Sequence, residues 1–69
     1  MTNTSLLRNK IDGSGLKLKF IADKMGISYY TLQKKINNVT EFTASEIDML
    51  CNILSIDSLE ERQSIFFAV

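Results

Sequence analysis

The 69-residue sequence contains no His, no Pro and no Trp, and only one Cys, and each absence removes a class of function. Without His the commonest general acid–base group is missing, and no glycine-rich phosphate loop stands in for it, so catalysis would fall on scattered carboxylates or on Cys51. Cys51 follows Leu50 in an apolar stripe, where a free thiol ordinarily belongs to the core. A lone Cys closes no disulfide within the chain, and without His it cannot complete the four ligands of a structural zinc. No apolar run approaches the roughly 20 residues of a membrane-spanning helix. Lys10, Asp12 and Lys17 interrupt the N-terminal region before the apolar core of a signal peptide can form. The expectation is a soluble, cytoplasmic, non-enzymatic protein with no cofactor, no metal and no membrane partner.

Residues 1–69 are expected to form one domain. A domain of this size buries only about 60% of its unfolded surface, so its core alone leaves it marginal. With disulfides and zinc excluded, dimerisation is the remaining support that the composition allows.

Eight Lys plus Arg balance eight Asp plus Glu, a neutral sum that is unusual for a nucleic-acid partner. The distribution is far from even. Residues 1–40 hold seven basic groups against two acidic ones, a net of +5, and residues 41–69 hold one against six, a net of −5.

Apolar residues recur at helical spacing throughout, and no segment alternates as a half-buried strand does. The expected fold is an all-α, compact bundle of about five short helices. The first runs from about Ser5 to Asp12 and is stopped by Gly13 and Gly15 around Ser14. The second spans about Leu18 to Met25 and ends at Gly26. Ser28 caps a third, Tyr29 to Asn37, which Asn37 and Asn38 stop in left-handed conformations. Thr43-Ala44-Ser45-Glu46 reads as a capping box, with Phe42 and Ile47 as its hydrophobic staple, opening a fourth helix to about Leu54. Ser58-Leu59-Glu60-Glu61 repeats the box and opens a fifth toward Ile65 and Phe66. The end, Phe66 to Val69, is too apolar for a loose tail.

Residues 18–37 have the shape of a helix-turn-helix: a short helix, a Gly at the turn, an apolar residue after it and an exposed second helix. Ala22 is small where the two helices cross, and Gly26 supplies the positive φ that reverses the chain in so few residues. Ile21, Met25, Ile27, Leu32 and Ile36 form the apolar wedge beneath the crossing. Ser28, Tyr29, Tyr30, Gln33, Lys34 and Asn37 are left facing outward. Their chemistry suits base edges: Gln33 matches adenine N6 and N7, Lys34 can donate to guanine O6 or N7, and a Tyr ring can pack on a thymine methyl.

Phe20-Ile21-Ala22-Asp23-Lys24-Met25-Gly26-Ile27-Ser28, followed by Thr31-Leu32, resembles the Cro/repressor-type, or Xre-like, helix-turn-helix regulators of phages and bacteria. The stretch from Gly15 to Asn38 looks especially like small phage-type regulators of Firmicutes, and Glu41 to Ile47 and Ile65 to Ala68 extend the likeness over nearly the whole chain. The resemblance implies a transcription regulator, a phage or prophage repressor or Cro-like protein, whose third helix enters the major groove of double-stranded DNA. It implies a homodimer on a near-palindromic operator. Base reading then falls to Ser28, Tyr29, Tyr30, Gln33 and Lys34. Phosphate contacts fall to Lys17 and Lys19, at the start of the second helix, and to Asn38 and Thr40. Two positions depart from the pattern. Leu18 stands where many members carry a phosphate-clamping Gln, so Lys17 or Lys19 would have to substitute, and Lys35 stands where many have an apolar residue, which shifts the apolar contact to Ile36.

Plainer readings stand beside these. Tyr29 and Tyr30 point about 100° apart, so either ring can pack on the second helix, and Lys34 and Lys35 can be an ordinary solvated surface. Phe66 and Phe67 cannot share one face; one closes the core and the other is available to a partner copy. The alternative function is a protein-interaction module, antirepressor-like or antitoxin-like, that uses the same fold without an operator of its own.

Overall fold

Side-chain caps decide where most helices begin. In the computed structural model, which describes residues 1–68, the order is α1 (Thr4–Ser14), α2 (Leu18–Met25), α3 (Tyr29–Ile36), α4 (Ala44–Ile53) and α5 (Leu59–Phe66). The described residues contain no strand, so the all-α bundle of five short helices is the observed architecture. Asn3, Ser28, Thr43 and Ser58 accept the N–H groups of Leu6, Thr31, Glu46 and Glu61 respectively. Each bond satisfies a first-turn donor that the helix itself leaves open. At α4 the box is reciprocal, because the Glu46 carboxylate returns to the Thr43 N–H at 2.8 Å.

Several boundaries differ from the sequence expectation. Helix α1 starts one residue earlier, capped by Asn3, and continues through Gly13 to Ser14. An internal Gly costs a helix only about 0.5–1 kcal/mol, and Gly15, at φ 74°, ends it instead. Asn37 keeps a φ of −89°, leaving Asn38 as the left-handed stop and α3 one residue shorter. The second capping box is half formed: Ser58 accepts from the Glu61 N–H, while the Glu61 carboxylate pairs with Lys10 of α1 at 2.7 Å. Val69 lies outside the described residues.

One apolar cluster joins all five helices. Leu7 of α1, Ile21 of α2, Leu32 and Ile36 of α3, and Leu50 and Cys51 of α4 are its fully enclosed centre. Ile65 and Phe66 close it from α5, and the Phe42 ring meets Phe66 edge-on with centroids 5.6 Å apart. The apolar set Ile47, Leu50, Cys51 and Leu54 is buried as its spacing requires.

Three helices end by the same device. Gly26, Asn38 and Ser55 take φ values of 74°, 62° and 57°, and the following residues send their N–H groups back five positions. These bonds run from Ile27 to the Ala22 carbonyl, from Val39 to Lys34 and from Ile56 to Cys51, at 3.1, 2.8 and 2.8 Å. At two of the three ends the next side chain is set onto the core, half-burying Ile27 and burying Ile56, a core residue that helical spacing alone passes over, whereas Val39 stays exposed.

The N-terminal segment ties the end of α3 to the end of α5. Thr2 exchanges two bonds with the Asn38 side chain, donating its N–H to Oδ1 at 2.9 Å and accepting from Nδ2 at 2.7 Å. The Thr4 hydroxyl donates to the Ile36 carbonyl at 2.6 Å, and the Asn3 N–H donates to the Ile65 carbonyl at 2.6 Å. These bonds hold the last turn of α3 against the body of the protein.

The turn at Gly26 has open space where a Cβ would stand, so a substitution there is opposed by backbone conformation and not by a clash. Gly26→Ala should therefore cost about 1–2 kcal/mol, read as a lower thermal midpoint. Gly26→Asn should cost less, because Asn visits the left-handed region more readily.

Candidate nucleic-acid interface

Helix α3 has two unlike faces. Leu32 and Ile36 are completely buried on one, while Tyr29 and Tyr30 are exposed on the other, with Gln33 and Lys34 half-buried beside them. Tyr30 is 71% exposed, and the Lys34 ammonium lies 5.3 Å from its ring centroid. Tyr29 accepts a hydrogen bond at its hydroxyl from Gln33 Nε2 at 2.8 Å. The two residues are one turn apart, so the bond runs along the outer face. Ser28 sits at the leading edge of that face, but its hydroxyl serves the cap, accepting from the Thr31 N–H and donating to Thr31 Oγ1 at 2.9 Å.

The underside of the helix pair is packed as the turn demands. Ala22, Leu32 and Ile36 are buried, Ile27 is half-buried and Gly26 carries the reversal. Lys17 and Lys19 are exposed at the start of α2. Lys17 occupies the cap position without a side-chain cap bond, leaving the first-turn N–H groups of α2 open. Open N–H groups beside two ammonium groups suit an anionic oxygen.

A family model for the Cro/C1-type HTH DNA-binding domain matches residues 6–61. The chain belongs to this family. No curated protein and no solved structure matches it. Double-stranded DNA is the ligand that a Cro/C1-type DNA-binding domain implies.

Within this Cro/C1-type domain the expected contact residues separate into two groups. Tyr29, Tyr30, Gln33 and Lys34 share the outer face of α3, with Lys17 and Lys19 on α2 and Thr40 exposed in the loop that follows α3. Asn38 stands apart from them. Its side-chain oxygen and nitrogen are both engaged with Thr2, so the residue, although exposed, also serves the fold.

Two residues have roles that sequence reasoning missed. Arg8 of α1 reaches α3, where its Nη2 donates to Asn37 Oδ1 at 2.9 Å and, over a longer 3.4 Å, to Gln33 Oε1. Lys35 turns away from the Tyr29–Lys34 face. It pairs with Glu46 at 2.9 Å and donates to the Glu41 carbonyl at 3.0 Å, anchoring α3 to the start of α4.

Ion pairing reduces the cations open to DNA. Lys10 pairs with Glu61 and Lys35 with Glu46, whereas Arg8, Lys17, Lys19, Lys24 and Lys34 form no ion pair among the described residues. Lys24 lies 5.6 Å from the Phe20 ring centroid on the exposed side of α2. Cys51 is enclosed, and burial pushes its thiol pKa up despite the opposing influence of Arg62, which disfavours the reactive thiolate.

The Lys35–Glu46 link makes a prediction about acid stability. Burial by itself raises the Glu46 pKa, but the Thr43 N–H and the Lys35 ammonium outweigh it, and the net shift is below the ordinary 4.5. A depressed folded pKa contributes stability that is present above the unfolded value and is lost as pH falls through the folded one. Chemical denaturation of the parent and Glu46→Gln between about pH 6 and about pH 3 should show the gap between them widest at the upper end and closing toward the lower.

Proposed function

We propose that this protein is a sequence-specific transcription regulator, a phage or prophage repressor or Cro-like protein of the kind found in Firmicutes, that acts in the cytoplasm by occupying operator DNA. The observation that carries this reading is the outer face of α3, where two exposed tyrosines, an amide and a lysine stand over a completely buried Leu32–Ile36 underside. Helix α3 lies in the major groove. Tyr29, Tyr30, Gln33 and Lys34 meet base edges, with Ser28 at the margin of the contact. Lys17, Lys19 and the open start of α2 take phosphates on one side, and Thr40 does so on the other.

The size of the molecule supports a second copy. The molecule measures 27 × 24 × 21 Å, shorter than the about 34 Å between major grooves facing the same side of the duplex. One copy therefore reads one half-site, and a near-palindromic operator requires a homodimer. Phe67 is the anchor we assign to it. Phe66 is 3% exposed and belongs to the core, whereas its neighbour Phe67 is 58% exposed, beside the exposed Met1.

Binding to DNA selected from random sequence should weaken steeply with salt, with a log–log slope of about −0.9 per phosphate neutralised. Gln33→Ala should relax the base preference at one position while leaving non-specific affinity nearly unchanged, and Lys19→Ala should weaken all sequences together. An absence of salt-dependent binding to any duplex would favour a protein-interaction module instead.

Sedimentation at micromolar concentration tests the dimer. Truncation after Ser64 would strip Ile65 and Phe66 from the core, so the informative variant is Phe67→Ser. It should sediment as a monomer whose thermal midpoint does not vary with protein concentration, against a dimeric parent whose midpoint rises with concentration. A monomeric parent would exclude this interface.

A further inference from the structure

We propose that Arg8, on α1 and outside the helix-turn-helix, is a specificity-determining positioning residue: it fixes which end of the Gln33 amide is oxygen, and hence whether α3 reads A·T or T·A. This inference rests on the proposed reading of DNA by the outer face of α3.

An amide side chain has two near-equivalent orientations that exchange its oxygen and nitrogen. Gln33 is held from both sides, with Oε1 accepting from Arg8 Nη2 and Nε2 donating to the Tyr29 hydroxyl. The two partners constrain it unequally. A tyrosine hydroxyl both donates and accepts, so it would satisfy either orientation, whereas a guanidinium carries donors alone. With the amide turned over, the Gln33 N–H groups would face the Arg8 N–H groups. Among the described residues Arg8 is thus the one partner that distinguishes the two states, and the shorter bond to Asn37 Oδ1 keeps it in place one turn beyond Gln33.

The bonds within the protein do not exhaust the amide. An amide oxygen has two lone pairs and its nitrogen two hydrogens, so one acceptor site and one donor remain after Arg8 and Tyr29 are served. Oxygen lies on the Arg8 side and nitrogen on the Tyr29 side. Adenine offers N7 as acceptor and N6–H as donor, in an order across the major groove that reverses when the base pair is turned over. In T·A the thymine O4 acceptor and C5-methyl stand in those places, so an amide of fixed orientation pairs with A·T at both atoms and sets its oxygen against O4 in T·A. A freely turning amide can present its N–H to O4 instead and accepts both.

The chemistry of Arg8 goes beyond its charge. Lysine at this position would retain the cation without the planar fork that serves Asn37 and Gln33 together. Methionine would retain much of the apolar stem and lose the donors. Neither change removes a residue of the enclosed core, because Arg8 is half-buried at the edge of α1.

The test uses the full chain and four variants: Arg8→Met, Arg8→Lys, Gln33→Ala, and the double Arg8→Met/Gln33→Ala. Each is titrated, over a salt series, against the duplex selected from random DNA and against that duplex with each base pair inverted in turn. In the parent, inversion at one position per half-site should weaken binding about tenfold or more. Gln33→Ala should abolish that discrimination. Arg8→Met and Arg8→Lys should each reduce it to about threefold or less, with preferences elsewhere intact, and the double variant should lose nothing further at that position.

Retained discrimination in Arg8→Met, with discrimination lost in Gln33→Ala, overturns the role of Arg8 and leaves base reading by α3 standing. A uniform loss of affinity in Arg8→Met, with a salt slope shallower by about 1 and recovery in Arg8→Lys, makes Arg8 a phosphate contact and also overturns it. No change at any position in Gln33→Ala overturns the reading by Gln33 itself, and the inference with it.

Discussion

The backbone reversal at Gly26 is the constraint on which the outer face of α3 depends. Helix α2 stops and α3 begins within three residues because the chain enters the left-handed region there and Ile27 returns its N–H to Ala22. That bond satisfies a carbonyl at the end of α2 and lowers Ile27 toward the core. The small side chain of Ala22 leaves room for the crossing. Once the crossing is set, Leu32 and Ile36 must point inward, and the remaining α3 residues have only the outer face to occupy. The tyrosines, Gln33 and Lys34 are exposed as a consequence of that geometry.

Electrostatics add direction to this face. The neutral total conceals a basic first part of the chain and an acidic second part, and two of the ion pairs act across the division. Lys10 and Lys35 are matched with Glu61 and Glu46, which removes them from the DNA-facing set and joins α1 to α5 and α3 to α4. Arg62 and Asp48 make a similar pair between α5 and α4. What stays open to phosphate is gathered on α1, α2 and α3. Of the carboxylates that form no ion pair among the described residues, Asp12 and Asp23 stand on α1 and α2, while Glu41, Asp57 and Glu60 belong to the acidic part of the chain.

Much of this arrangement was legible in the sequence, and the division between what was and what was not is physical. Caps at Ser28, Thr43 and Ser58, the stop at Gly26 and the apolar sets of α2, α3 and α4 depend on residues within one turn of each other. Features resting on distant partners were not legible. Asn38 looks like a surface residue after a helix until Thr2, 36 positions away, is found on its side chain. Arg8 looks like one more surface cation until α1 is seen to cross α3, which brings it to Gln33 and Asn37, 25 and 29 positions away. Lys35 could be read as solvated because nothing local reveals that Glu46 lies within reach. The outer face of α3 could be identified from spacing; which hydrogen-bonding sites on it are already occupied could not.

The bonds around Thr2 have a consequence for how the molecule opens. Chain ends usually fray independently of the core and exchange their amide protons freely. Here Thr2 is buried, its N–H is held by Asn38, the Asn3 N–H is held by Ile65, and the Ala68 N–H is held by the Met1 carbonyl at 3.0 Å. To release the first residues is to release the last turn of α3 and the end of α5 with them. The first residues, the last turn of α3 and the end of α5 are thus linked by hydrogen bonds, and protection of the Thr2, Asn3, Val39 and Ala68 amides is expected to rise and fall together.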